Sequence, residues 1–190
     1  MKKSLFSLAL VALLGAAATS ASAQATMTPG TVMVGGEAMY PAKNIVANAV
    51  NSKDHTTLVA AVKAAGLVET LQGKGPFTVF APVNDAFENL PAGTVESLLK
   101  PENKAALTKV LTYHVVAGNM TADKLMAAIK AGKGKATLKT VSGGTLTAMM
   151  NGPHNVVLTD ESGNTASIST YDVIQSNGVI HVIDKVLLPK

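Results

Sequence analysis

The sequence predicts an α+β domain behind a secretory leader, with a helix-rich first half and a strand-rich second half. Two observations carry this. From Lys43 to Ile129 apolar residues recur at helical spacing, and after Gly134 short apolar runs are separated by turns rich in Gly, Ser and Asn. No internal repeat interrupts that order, so one core is expected.

Residues 1–23 read as a signal peptide rather than as fold. Lys2 and Lys3 make a positive start, Leu5 to Ala18 an apolar run, and Ala21-Ser22-Ala23 a small-residue cleavage site. The apolar run falls short of the about 20 residues that span a bilayer, and a chain without Cys has no lipobox. The protein is therefore expected to be secreted or periplasmic, starting at Gln24. Residues 24–40 lack either periodicity and read as a flexible leader; 41–188 form the expected domain.

Within the domain, Ile45, Val46, Ala49 and Val50 predict one helix, and Leu58, Val59, Val62 and Ala65 a second, closed at Gly66. Leu67 to Leu71 is a further helical turn. Phe77 to Ala81 is a short strand between Gly75-Pro76 and Pro82. Asn84 is placed to cap a single turn carrying Phe87, and Thr94 to cap a second through Leu98 and Leu99. Pro101 suits the first position of a helix that buries Leu107, Val110 and Leu111. Tyr113 to Val116 is strand-like, and Thr121 opens a helix with Leu125 and Ile129 one turn apart. Two hairpins follow: Ala136–Val141 with Thr145–Met149 around Ser142-Gly143-Gly144, and Val156–Thr159 with Thr165–Ile168 around residues 160–164. Val179 to Leu188 is almost continuously apolar, as a strand buried on both faces would be.

Composition removes several functions. Every basic residue is Lys, and loss of Lys2 and Lys3 lowers the formal charge from +4 to +2. Without Arg, with aromatics at 4% and charged residues at 15%, the chain lacks the clustered cations and stacking rings of a nucleic-acid surface. With no Cys there is no disulfide, thiol chemistry or Cys-ligated metal, and a domain this long needs none of them to fold. The chain has no Gly-x-Ser-x-Gly elbow, no His-Glu-x-x-His and no phosphate loop. Asp160, Ser162 and Asn164 echo a calcium loop only faintly, because Thr165 and Tyr171 stand where Gly and Glu belong.

Three segments taken in order resemble the fasciclin domain family: Phe77-Thr78-Val79-Phe80-Ala81-Pro82-Val83-Asn84-Asp85-Ala86-Phe87, the pair Tyr113-His114, and Asn177-Gly178-Val179-Ile180-His181-Val182-Ile183-Asp184. The resemblance spans about residues 41–188. It implies a β-sandwich or wedge with helices packed on one side, and adhesion or matrix contact outside the cell. It also points to Tyr113 and His114 as candidate partner contacts. Val83 departs from the family, which usually carries Thr there. Integrin binding is not carried over, since there is no Arg-Gly-Asp and nothing recognisable between Glu102 and Leu111.

The chemistry-bearing residues read as structural first. His114 and His181 sit among Val and Ile, where a ring packs and its nitrogens find partners; Asp85 and Asp184 are the carboxylates expected nearby. His55, beside Asp54 at a helix start, is expected in solvent. No ligand cluster for a metal is seen and no cofactor is expected. Tyr113 suits either a core edge or a contact anchor. The leading functional reading is a monomeric binding module that contacts a surface protein, a polysaccharide or a matrix component, without catalysis. Two others compete: a hydrolase using His114 or His181 with a carboxylate, and a carrier of small apolar ligands using a groove lined partly by Met149 and Met150.

Overall fold

The computed structural model describes residues 28–190. The expected signal peptide, its cleavage site and the first residues of the leader lie outside the described residues. In chain order the elements are β1 (Val32–Val34), β2 (Glu37–Met39), α1 (Ile45–Ala49), α2 (Thr56–Ala65), α3 (Val68–Gln72), β3 (Phe77–Pro82), α4 (Asn84–Glu88), α5 (Thr94–Leu98), α6 (Lys104–Tyr113), β4 (Val115–Ala117) and α7 (Ala122–Ala131). Five strands complete the chain: β5 (Lys135–Lys139), β6 (Thr145–Asn151), β7 (Asn155–Thr159), β8 (Thr165–Gln175) and β9 (Gly178–Ile183). The expected α+β layout, helices first and strands second, is what the structure has. Among the described residues no helix is long and apolar enough to cross a membrane.

Seven strands form one mixed sheet in the order β4-β3-β9-β8-β7-β6-β5. β3 and β9 run parallel with Phe80 opposite His181, and every other pairing is antiparallel. The two ends of the sheet approach each other: Val116 bridges Thr140, and the Val141 N–H donates to the Val115 carbonyl. The sheet thus curls towards a barrel, which covers edges that would otherwise invite pairing.

The period of two along β3 sorts its side chains between two apolar layers. Val79 and Ala81 pack with α1, α2, α3, α4 and α6, while Phe80 packs with α7 and the interior of the curled sheet. β9 is buried at every position, which explains why its run is apolar except at His181. Gly178 is required where β9 begins: a Cβ there would stand 2.0 Å from the Phe77 carbonyl oxygen across the parallel pairing.

Four expectations need correction. The leader does not stay free to residue 40, because β1 and β2 pair as a hairpin and bury Val34 and Met39 against the helices. Asn48 fixes it there, bonding both the N–H and the carbonyl of Tyr40 and the side chain of Gln175. Tyr113 closes α6 rather than opening a strand, and β4 starts only at Val115. β9 stops at Ile183; Val186 and Leu187 are buried beyond it as irregular chain. Finally, α7 lies on the opposite layer from the other helices, so helices do not occupy one side alone.

Candidate functional site

The three family-like segments converge on the β3–β9 pair, and their histidines sit on opposite flanks of it. His181 is fully buried in β9. Its ring stacks on Phe80 at 5.7 Å between centroids and meets the Tyr171 ring edge-on at 5.9 Å. Nδ1 accepts from the Asp172 N–H at 3.3 Å, so Nε2 carries the proton and donates to the Met120 carbonyl at 2.7 Å. Thr78 works on the same loop, donating to the Gly118 carbonyl and accepting from the Met120 N–H. Burial holds the His181 ring below its ordinary pKa and therefore neutral at pH 7.

His114 follows α6 directly and is equally enclosed. Its Nδ1–H donates to the Val110 carbonyl at 2.8 Å, and Nε2 accepts from the Leu187 N–H at 3.0 Å. The ring therefore ties the end of α6 to the C-terminal segment, and burial lowers its pKa to about 4. Tyr113 is 0% exposed. Its hydroxyl donates to the Thr145 carbonyl at 2.6 Å and accepts from the Glu161 N–H at 3.1 Å. Gly144 makes room for it, since a Cβ there would lie 2.7 Å from the Tyr113 ring. Of the two expected roles, core edge or contact anchor, the structure has the first: both ends of Tyr113 are interior, and neither it nor His114, the two candidate partner contacts, presents an exposed surface.

The expected carboxylates do not reach the histidines. Asp184 is exposed and accepts from the Ser167 N–H at 2.7 Å, while Asp85 stands exposed in the first turn of α4. Asn84 does cap a helix, but not its own. Its Oδ1 accepts from the Thr57 N–H at 3.0 Å at the start of α2, and its Nδ2 donates to the Lys53 carbonyl at 2.8 Å. Asn84→Ala is expected to cost about 1–2 kcal/mol, read as a shift in the denaturation midpoint. The N-cap of α4 is Val83, which has no side-chain oxygen to offer. Val83→Thr is expected to raise the midpoint by about 0.5–1 kcal/mol by supplying that cap.

His55 overturns the expectation of a solvated ring, being only 3% exposed. Ser52 Oγ bonds its Nδ1 at 2.8 Å, whereas Nε2 is buried without a hydrogen bond of good geometry, beside the Ala81 backbone, whose polar contact with the ring favours the charged form less than burial disfavours it. Burial lowers its pKa as well. Its ring forms part of the wall of a cavity of about 320 Å³ between α1, α2, α3 and the β3–β9 face. Met149 and Met150, the residues offered for a ligand groove, lie on β6 away from this space. His181→Ala is expected to cost about 2–3 kcal/mol and His55→Ala about 1, because the first strands two backbone partners and the second only one hydroxyl. Equal denaturation midpoints for the two variants would refute this ordering.

Three further polar residues hold structural roles that their local sequence does not announce. Asn177 accepts from the Ile45 N–H and donates to the carbonyls of Leu71 and Gly73, joining α1 and α3 to the β8–β9 turn. Asp172, at φ 53°, accepts from the Ala122 N–H and caps α7. Asp160 spends both carboxylate oxygens on hydrogen bonds: burial pushes its carboxyl up, but bonds from Asn164, Leu188 and Ser162 outweigh this and hold it below the usual carboxylate range. Among the described residues no three His, Asp or Glu side chains converge to hold a metal ion.

The family profile described as Fasciclin domain matches residues 53–189. Protein sll1483 of Synechocystis sp. (strain ATCC 27184 / PCC 6803 / Kazusa) is 48% identical over 171 residues, covering 90% of this chain and 87% of that protein. Transforming growth factor-beta-induced protein ig-h3 of Sus scrofa is 37% identical over 134 residues, 70% of this chain but 17% of that longer protein. Among solved structures, the FAS1 domain pair of the insect cell adhesion molecule Fasciclin I superposes with a TM-score of 0.68 at 18% identity, covering 78% of this chain and 51% of that one.

Proposed function

Because the chain belongs to the fasciclin domain family, we propose that it is an exported binding module of the adhesion type, which contacts a protein, polysaccharide or matrix component at the cell surface and performs no catalysis. One observation carries the reading. The polar atoms of Tyr113, His114 and His181 face inward and are bonded to backbone, so these three side chains hold the scaffold together. A general base needs a free nitrogen within reach of substrate, and both rings have theirs engaged. Recognition then falls to the surface, where, among the described residues, Met33 and Tyr40 at the N-terminal hairpin, with Val50, Val141 and Met149, are exposed large apolar side chains. Exposed apolar side chains of this kind supply contact area when a partner covers them.

The test is retention of the purified protein on immobilised cell-envelope proteins and polysaccharides. Met33→Asp with Tyr40→Asp, or Val50→Asp with Val141→Asp, is expected to reduce retention at least tenfold while the melting temperature stays within a few degrees. Turnover of generic ester or glycoside substrates that disappears in His114→Gln would overturn the proposal in favour of a hydrolase.

A further inference from the structure

The cavity of about 320 Å³ between α1, α2, α3 and the β3–β9 face has a wall that is almost wholly hydrocarbon, Ile45, Leu58, Val62, Leu71, Val79 and Ile180 among its residues. Water finds too few partners in such a wall, whereas a hydrocarbon group gains contacts there that it lacks in water. The rings of His55 and His114 also border the space, but burial holds both below the ordinary pKa, so at pH 7 they bring no charge. Val50 and Val141, each nearly half exposed, line it too and mark where it meets solvent. Lys63, likewise exposed, is the one charged side chain of the wall at that pH. Among the described residues the one ion pair joins Lys53 to Glu37, which leaves Lys63 without a carboxylate.

We propose that this cavity takes the hydrocarbon chain, about ten to twelve carbons long, of a single-chain amphiphile whose singly charged anionic head stays at the opening beside Lys63. Size follows from volume: an apolar cavity of about 150 Å³ holds benzene, and this one is roughly twice as large. The head stays outside because an ionised group would lose its hydration among these walls with nothing to replace it. Its sign follows from Lys63, which attracts an anion and repels a cation. An exposed pair of this kind contributes little, so the tail carries the affinity and the head sets only the preference. The site does not rest on the macromolecular contact proposed above.

The experiment titrates the purified protein at pH 7 with decanoate, decyltrimethylammonium and butyrate, each below its micelle concentration, following backbone amide NMR shifts and the melting temperature. Decanoate is expected to bind one-to-one with shifts centred on Leu58, Val62 and Ile180 and to raise the melting temperature. Butyrate, which has the head but not the chain, should show no saturable binding. The cationic amphiphile should bind about three- to tenfold more weakly than decanoate. Lys63→Glu should reverse that order, while Lys135→Glu, the same charge change away from the cavity wall, should keep it. Val62→Phe fills the space from α2 and Ile180→Phe from β9, and either should abolish binding with the fold intact. The proposal is overturned if wild type shows no saturable decanoate binding, if a folded filled variant binds as wild type does, or if Lys63→Glu keeps the order that Lys135→Glu keeps. Both filled variants leave the exposed apolar side chains in place, so their retention on envelope components reports on the macromolecular partner independently and the two proposals fail separately.

Discussion

Tyr113→Ala is expected to lower stability by about 3–5 kcal/mol, the scale of other buried aromatic truncations. The ring is wholly enclosed by the layer that holds Phe80, Leu146 and Leu187, and the glycine at 144 shows how tightly the β5–β6 turn is drawn over it. Removing the ring leaves a cavity that the curled sheet cannot close, because α6 on one side and the turn on the other are held by their own hydrogen bonds. Tyr113→Phe isolates the polar tip. It keeps the packing but strands the Thr145 carbonyl and the Glu161 N–H, at an expected cost of about 1–2 kcal/mol. Both numbers come from denaturant midpoints. If Tyr113 instead served as a contact anchor, Tyr113→Ala would leave the midpoint nearly unchanged and weaken partner retention, the opposite pattern.

Acid should destabilise the domain over an unusual range, between about pH 6.5 and 4. In the unfolded chain a histidine takes up its proton near pH 6.5, whereas folded His114 resists until about 4. Its contribution to stability is therefore complete above pH 6.5, declines as pH falls through that interval, and is gone below about 4. For His114 alone this amounts to about 3 kcal/mol. His55 and His181 are lowered in the same direction by burial, so each adds to the slope. Asp160 acts at still lower pH, since its hydrogen bonds stabilise the ionised form and are lost only as the carboxylate is protonated. Stability measured by denaturant at pH 7, 6, 5 and 4 should fall, with His114 contributing uptake of about one proton per unfolding near pH 5 and His55 and His181 adding to it in the same direction. His114→Phe should remove about one proton from that slope, whatever it does to stability at pH 7. A stability flat from pH 7 to 5 would mean that these rings are solvated.

The domain's class, its two β-meander hairpins and the burial of β9 were legible in the chain, because each is written in local pattern. Helical spacing, Gly-rich turns and an almost continuous apolar run follow from neighbours a few residues apart, and such neighbours meet whatever the fold. His181 was read as interior for the same reason. The histidine partners were not legible. His181 bonds a carbonyl 61 residues away and His114 an N–H 73 residues away, and nothing local announces either. Proximity of Asp85 and Asp184 in the motifs suggested carboxylate partners, but side chains alternate across a strand and the sheet turned backbone towards the rings instead. His55 looked solvated beside Asp54, and became buried only because the β1–β2 hairpin and α1, anchored through Asn48, Asn177 and Gln175, fold over it. The cavity has the same origin. Local sequence makes α1, α2 and α3 apolar on one face, but how closely they approach the sheet depends on backbone bonds from distant asparagines, and here that approach leaves a space of about 320 Å³ between them.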